Sequence, residues 1–230
     1  MKIGAITPAY NEEAVISGTI RCLALFVDRH IVLVSERPYF GQEHKPDCTA
    51  EIVENLGAHV VTGRWDLDHY QRNLGIQMLQ DCDWILTFDA DEMMTTEELE
   101  KLHEFLIKCP TDAVAIRPEV YWKTTDYVLR PVPDFTPIIA VKPNVKFTHI
   151  RNIDSPHVLY PGTMHHLSWC APKNIKSKIL HYAHASDFYG AEWYKNEYEN
   201  WTPGMDKAVL PTGIYSVEKR PLPDELKRLL

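Results

Sequence analysis

Three carboxylates fall within four positions at Asp89-Ala90-Asp91-Glu92, directly behind the apolar run Trp84-Ile85-Leu86-Thr87-Phe88. Carboxylates crowded this closely disfavour one another's charged form unless a cation joins them. A hard divalent ion with oxygen ligands, Mg2+ or Mn2+, relieves that cost and can hold a diphosphate. The same residues also fit a plain acidic turn leading into a helix, because Thr95 and Glu98 follow with capping-box spacing. A DxD of this kind after a strand also occurs in phosphatases of the haloacid dehalogenase type. There it follows the first strand, whereas here it follows the fourth.

Histidine is unevenly spread, with six of the eleven lying between His149 and His184. His181 and His184 sit three apart on an expected helix, which suits either a metal pair or one packed and one solvated ring. Lys173, Lys176 and Lys178 precede them and offer charge to an anionic acceptor or to a diphosphate, or else form a solvated helix face. Trp169, Tyr189, Trp193 and Trp201 suit stacking on sugars or bases, and equally suit a packed core.

The elements that must position these residues alternate in the first half of the chain. Short β-rich runs occur at 3–7, 31–35, 58–61, 84–88 and 113–117. Between them, Asn11 can cap a helix bearing Ile16, Ile20 and Leu23, and 47–56 stops at Gly57. Residues 68–80 place Tyr70, Leu74 and Met78 along one helical stripe, and a helix capped at Thr95 buries Leu99, Leu102 and Leu106. Strand–helix repeats of this kind predict an α/β fold with a doubly wound, mostly parallel sheet. Beyond residue 120 the pattern loosens: four prolines in 130–143 favour loops and edge strands, 165–169 reads as a strand and 175–184 as a helix. We expect one main domain over 1–185, with a regular half over 1–120 and a looser half over 121–185. An aromatic arm over 186–230 packs on it.

Composition narrows the classes. The 230 residues carry 24 Lys+Arg against 32 Asp+Glu, a net charge of −8 that argues against a surface built to neutralise phosphates. No run reaches the length of a membrane span, and the start does not read as a secretory signal. Five scattered cysteines without a CxxC pair imply reduced thiols, so the expected location is cytoplasmic. Neither a dinucleotide-binding GxGxxG nor a P-loop stands at a strand end.

Taken together, Ala5-Ile-Thr-Pro-Ala-Tyr-Asn-Glu-Glu13 and Trp84-Ile-Leu-Thr-Phe-Asp-Ala-Asp-Glu92 resemble the GT-A glycosyltransferases, especially the family 2-like ones. Asp68-His-Tyr-Gln-Arg72-Asn73 is similar to a helix in several of these families whose Arg and Asn face the nucleotide sugar. The resemblance implies that Pro8, Tyr10 and Glu12 line the base and ribose pocket. Glu36 stands where an acidic residue near the base is usual, although Ser35-Glu36-Arg37-Pro38 departs from the common Asp-Asp-x-Ser. Asp89 then touches the ribose or the metal, Asp91 is the principal metal ligand, and Arg72 contacts the diphosphate or donor sugar. Met164-His165-His166-Leu-Ser-Trp169 resembles a segment in which a distal His completes the metal shell. His166 is the choice over His165, since neighbours on a strand face opposite ways.

What this implies is a transferase that uses Mn2+ or Mg2+ and a nucleotide-sugar, by family habit a UDP-sugar, with 1–120 as the nucleotide-sugar half of a catalytic domain and 121–185 as its acceptor half. A glycan acceptor is expected, with a hydroxylated base in phage DNA as the alternative. Inverting members need a carboxylate base; Asp154, Asp134 and Glu119 are the candidates, and each also reads as a surface carboxylate. A nucleotidyltransferase or a non-catalytic sugar-nucleotide-binding module are the readings from other classes.

Overall fold

The computed structural model describes residues 1–41, 45–170, 175–176, 178–179, 190–210 and 212–230. Strands β1 (Ile3–Ala9), β2 (Arg29–Ser35), β3 (His59–Gly63) and β4 (Trp84–Thr87) run parallel, with β1 between β4 and β2 and β3 outermost. Helices α1 (Ile16–Leu23), α2 (Thr49–Asn55) and α3 (Asp68–Met78) are the connections. β6 (Ala113–Ile116), β9 (Ile138–Val141) and β12 (Val158–Tyr160) complete a seven-stranded sheet in the order β12-β6-β9-β4-β1-β2-β3. The alternation of small and branched apolar residues decides which face each helix covers. Ala5, Trp84 and Leu86 pack with Leu23 of α1 and with Leu99, Leu102 and Leu106 of α4 (Thr96–Ile107). Ile6, Ile31, Leu33 and Ile85 pack on the other face with Ile76 of α3. This is the doubly wound α/β sheet expected, mixed and mostly parallel.

A second, six-stranded sheet joins β5 (Glu92–Met93), β7 (Glu119–Trp122), β8 (Tyr127–Arg130), β13 (His165–Trp169), β14 (Lys207–Leu210) and β15 (Gly213–Lys219) in the order β14-β15-β8-β7-β13-β5. The chain leaves the first sheet at the end of β4 and enters the second at β5. The three clustered carboxylates therefore lie at the crossing between the two sheets. A two-stranded ribbon of β10 (Phe147–His149) and β11 (Asn152–Ile153) sits beside α3.

Several local expectations are corrected. Asn11 does not cap α1; it takes φ 52° and its side chain accepts the Asp47 backbone N–H at 3.2 Å, while α1 starts later, at Ile16. The buried face of α3 is Asp68, Gln71, Arg72, Gly75 and Ile76, and Tyr70 is exposed. A polar face is buried there because the helix supplies the site with charge. Gly75 permits this close seat, since a Cβ there would stand 2.7 Å from Ile6 Cγ2. Thr95 accepts the Glu98 N–H at 3.3 Å, but the Glu98 carboxylate is turned to the Thr163 N–H at 2.9 Å, so the box is half formed. β9 is no edge strand, since it runs antiparallel between β4 and β6 with all four residues buried. Pro131, Pro133 and Pro137 precede its ladder and Pro143 follows it. The C-terminal segment contributes the β14–β15 hairpin to the second sheet, along with an aromatic cluster of Trp193, Tyr198 and Trp201.

Candidate active site

Because β1 to β4 are parallel, their carboxyl ends share one edge, where open sheets of this kind bind ligands. Pro8 is buried near the end of β1, and half-buried Tyr10 follows it. The Glu12 backbone N–H donates to Thr49 Oγ1 at 2.8 Å, which pins this turn to the start of α2. The Glu12 carboxylate then faces Lys178, with Oε1 3.9 Å from Nζ. Burial pushes the Glu12 carboxyl up to about 7; Lys178 opposes this, and Asp91 and Asp89 add to it. Glu36 stands exposed at the same edge, its backbone N–H donating to the Gly63 carbonyl at 2.8 Å.

The three clustered carboxylates have three different fates. Asp89 is clamped by two arginines: Arg72 Nη2 donates to Oδ1 at 2.6 Å and Arg151 Nη1 to Oδ2 at 3.1 Å. Glu92 is wholly buried, with Arg151 Nη1 2.5 Å from Oε1 and the Asp89 backbone N–H 2.8 Å from Oε2. Burial raises its pKa, and Arg151 works against that. Asp91 is only 4% exposed and, among the described residues, meets no arginine; His166 Nε2 lies 3.3 Å from Oδ1 and Lys178 Nζ 2.5 Å from Oδ2. Burial alone would raise the Asp91 carboxyl, but Lys178 and His166 outweigh it and hold its pKa well below the usual carboxylate range. Burial opposes charge on His166, yet the Asp91 carboxylate wins and raises that imidazole.

This donor set fits a divalent ion. A hard carboxylate from the turn before β5 and an imidazole from β13 converge, and two ligands sharing an octahedral ion at ~2.1 Å would stand ~3 Å apart. The observed separation is 3.3 Å. Among the described residues no three His, Cys, Asp or Glu side chains form a closed cage. That is the habit of Mg2+-like sites, which complete their shell with water and substrate phosphates. Of the expected metal residues, Asp91 and His166 converge, while both Asp89 oxygens are engaged by arginine.

Arg72 lies at this edge as expected. Nε and Nη2 hold Asp68 at 2.7 and 3.0 Å, and Nη1 is buried with no partner among the described residues. Asn73 does not face the site; it exchanges hydrogen bonds of 2.9 Å with the Phe147 backbone in both directions. His165 points the other way from His166, its Nδ1 3.0 Å from the Tyr121 hydroxyl.

The candidate bases separate. Glu119 pairs in register with His165, so it lies on the face away from His166, bound to Arg130 at 2.7 Å and Arg220 at 3.4 Å. Asp154 is exposed, 3.5 Å from Thr148 Oγ1. Asp134 is 95% exposed, 3.3 Å from Arg117, and its neighbour Phe135 packs edge-on against the His166 ring at 6.0 Å. Trp169, Trp193 and Trp201 are core residues around Trp122 rather than open stacking platforms. Lys173, His181, His184 and Tyr189 lie outside the described residues.

Sequence reasoning missed Arg151. Its guanidinium also donates to the Thr87 carbonyl at 2.7 Å and the Ile138 carbonyl at 3.0 Å, tying β4, β9 and the carboxylate turn together. The available signal was the charge balance: three packed carboxylates require buried cations that the local sequence does not supply.

A family model for glycosyl transferase family 2 matches residues 5–171. An uncharacterized glycosyltransferase of Rickettsia felis is 35% identical over 96 residues, 42% of this chain, and the chain spans 31% of that relative's length. Glucosyl-3-phosphoglycerate synthase from Mycobacterium tuberculosis, in complex with Mn2+, UDP and phosphoglyceric acid, superposes with a TM-score of 0.52 at 14% identity, over 96% of this chain and 87% of that one. TarS of S. aureus superposes with a TM-score of 0.51 at 16% identity, over 77% of this chain and 38% of its own. At these identities the two structures speak to the fold, which is GT-A-like.

Proposed function

This chain belongs to glycosyl transferase family 2, and from that premise we propose that it moves a sugar from a UDP-sugar to an acceptor hydroxyl, with Mn2+ or Mg2+ held by Asp91 and His166. The observation that carries this reading is the pair of buried Asp91 and half-buried His166 at the carboxyl edge of four parallel strands. The Mn2+ and UDP in the M. tuberculosis synthase support the donor class. When bound, the ion supplies positive charge to the diphosphate as it leaves.

The chain's own residues do the rest. Arg72 is fixed by Asp68 and Asp89, so its Nη1, without a partner among the described residues, loses little entropy in meeting a donor oxygen. Glu12 and Tyr10 stand at the end of β1 for the nucleoside. Glu36 borders the same edge.

Phe135, 38% exposed beside His166, offers a face on which an acceptor sugar can stack, and the net charge of −8 favours a glycan acceptor over nucleic acid. Asp134 next to it is the best placed of the three carboxylates to take the acceptor's proton. The test is UDP release from UDP-glucose and UDP-GlcNAc with Mn2+, with and without a panel of oligosaccharides. Acceptor-dependent UDP release that is lost in Asp91→Asn supports the reading. Release of sugar 1-phosphate in place of UDP identifies a nucleotidyltransferase and refutes it.

A further inference from the structure

Lys178 occupies an unusual position for a lysine. Its Nζ lies 2.5 Å from Asp91 Oδ2 and 3.9 Å from Glu12 Oε1, with the side chain only 20% exposed. The residue is anchored from behind, because Ile175 and Ile179 are each 1% exposed and pack into the aromatic cluster of Trp122, Trp169 and Trp193. Charge is allotted unevenly around it. Asp89 has Arg72 and Arg151, and Glu92 has Arg151, whereas Lys178 is the cation that Asp91 and Glu12 share. A single ammonium therefore bridges the carboxylates of the turn after β1 and the turn before β5, which is the electrostatic task a divalent ion would perform.

We propose that Lys178 is a tethered stand-in for the metal: it holds Asp91 until the divalent ion displaces it, and then pairs with the donor diphosphate. The proposal rests on the donor-site reading given above. An ammonium and a divalent ion on one carboxylate repel each other strongly in a site shielded from water. The ion therefore competes with Lys178 for the Asp91 carboxylate, which makes metal binding weak on its own. A diphosphate offers Lys178 charged acceptor oxygens in exchange for the one it loses. Metal and nucleotide then assist each other's binding, and by linkage the assistance is mutual.

The test measures Mn2+ binding by electron paramagnetic resonance on wild type, Lys178→Met and Lys178→Arg, each with and without UDP. Wild type should bind Mn2+ alone weakly, and UDP should tighten it. Lys178→Met should bind Mn2+ alone about tenfold tighter than wild type, the loss of one charge-assisted competitor, and bind UDP with Mn2+ about tenfold more weakly. Lys178→Arg keeps the competing charge and should stay near wild type. A second measurement needs no variant: acetylation of Lys178, read by mass spectrometry on the wild-type chain, should rise with Mn2+ alone and fall again when UDP is added. Unchanged Mn2+ affinity in Lys178→Met, or acetylation indifferent to Mn2+, overturns the assignment of Lys178 while leaving the donor site intact. If wild type binds neither Mn2+ nor UDP, the donor-site reading itself falls and takes this proposal with it.

Discussion

Arg151 Nη1 stands 2.5 Å from Glu92 Oε1, and the two side chains are 8% and 0% exposed. This pair sets the shape of the site. Glu92 uses its other oxygen to hold the Asp89 backbone N–H, so the turn carrying Asp89 and Asp91 is braced from within. Of the three clustered carboxylates, Glu92 is thus the brace, Asp89 the clamp for two arginines, and Asp91 the group left to face a ligand.

Arg151→Met should be costly, because it leaves Glu92 buried without its cation and breaks bonds to two carbonyls. Removing one partner of a buried pair typically costs ~3–5 kcal/mol. For a chain of this size that lowers Tm by about 10 °C. A thermal melt checks it, and a variant melting within about 2 °C of wild type would show that the brace is not needed.

Asn73 separates a structural role from a donor-contacting one. Asn73→Ala removes two hydrogen bonds to Phe147 and should lower stability by about 2 kcal/mol, read as a Tm loss of roughly 5 °C. UDP affinity in the presence of Mn2+ should stay within about twofold. A large loss of UDP affinity at unchanged Tm would put Asn73 in the donor pocket after all.

The adjacent histidines should behave oppositely. His166→Ala is expected to weaken Mn2+ binding by at least about tenfold. His165→Phe should leave Mn2+ affinity within about twofold and alter stability instead, because that ring packs on Tyr121 and burial pushes its pKa down to about 4. Equal effects of both substitutions on Mn2+ would contradict the alternation of β13.

His30 gives a pH dependence remote from the site. Its Nε2 lies 2.9 Å from Thr7 Oγ1, and burial lowers its pKa from the ordinary 6.5 to about 4. Between those values the unfolded chain binds a proton that the folded one refuses, so stability falls as pH falls from 6.5 to about 4. The loss should approach about 3 kcal/mol. His30→Gln should flatten that part of the profile in urea titrations across pH 4–7; a parallel profile for both proteins would refute the assignment.

Much of this architecture was legible in the sequence, because β1 to β4 are short β-rich runs and α4 buries Leu99, Leu102 and Leu106 at helical spacing. Asp91 could be singled out by its place after β4, and His166 by alternation along β13. Arg151 and β9 could not. Both come from the Pro-rich and irregular third of the chain, where the partner that makes a residue buried is remote: Arg151 meets Glu92 across 59 positions. The aromatic residues illustrate the reverse failure. Trp193 and Trp201 have the chemistry of a sugar platform, but nothing local distinguishes a platform from a core, and here Trp122 takes both of them inward.

The measurement closest to the central claim is isothermal titration of UDP into wild type and Asp91→Asn, each with Mn2+ and with a chelator. The account predicts UDP binding that depends on Mn2+ in wild type and is weakened by at least about tenfold in Asp91→Asn, with the Tm of the variant retained. UDP binding of equal strength in both proteins, or binding indifferent to the metal, would contradict it.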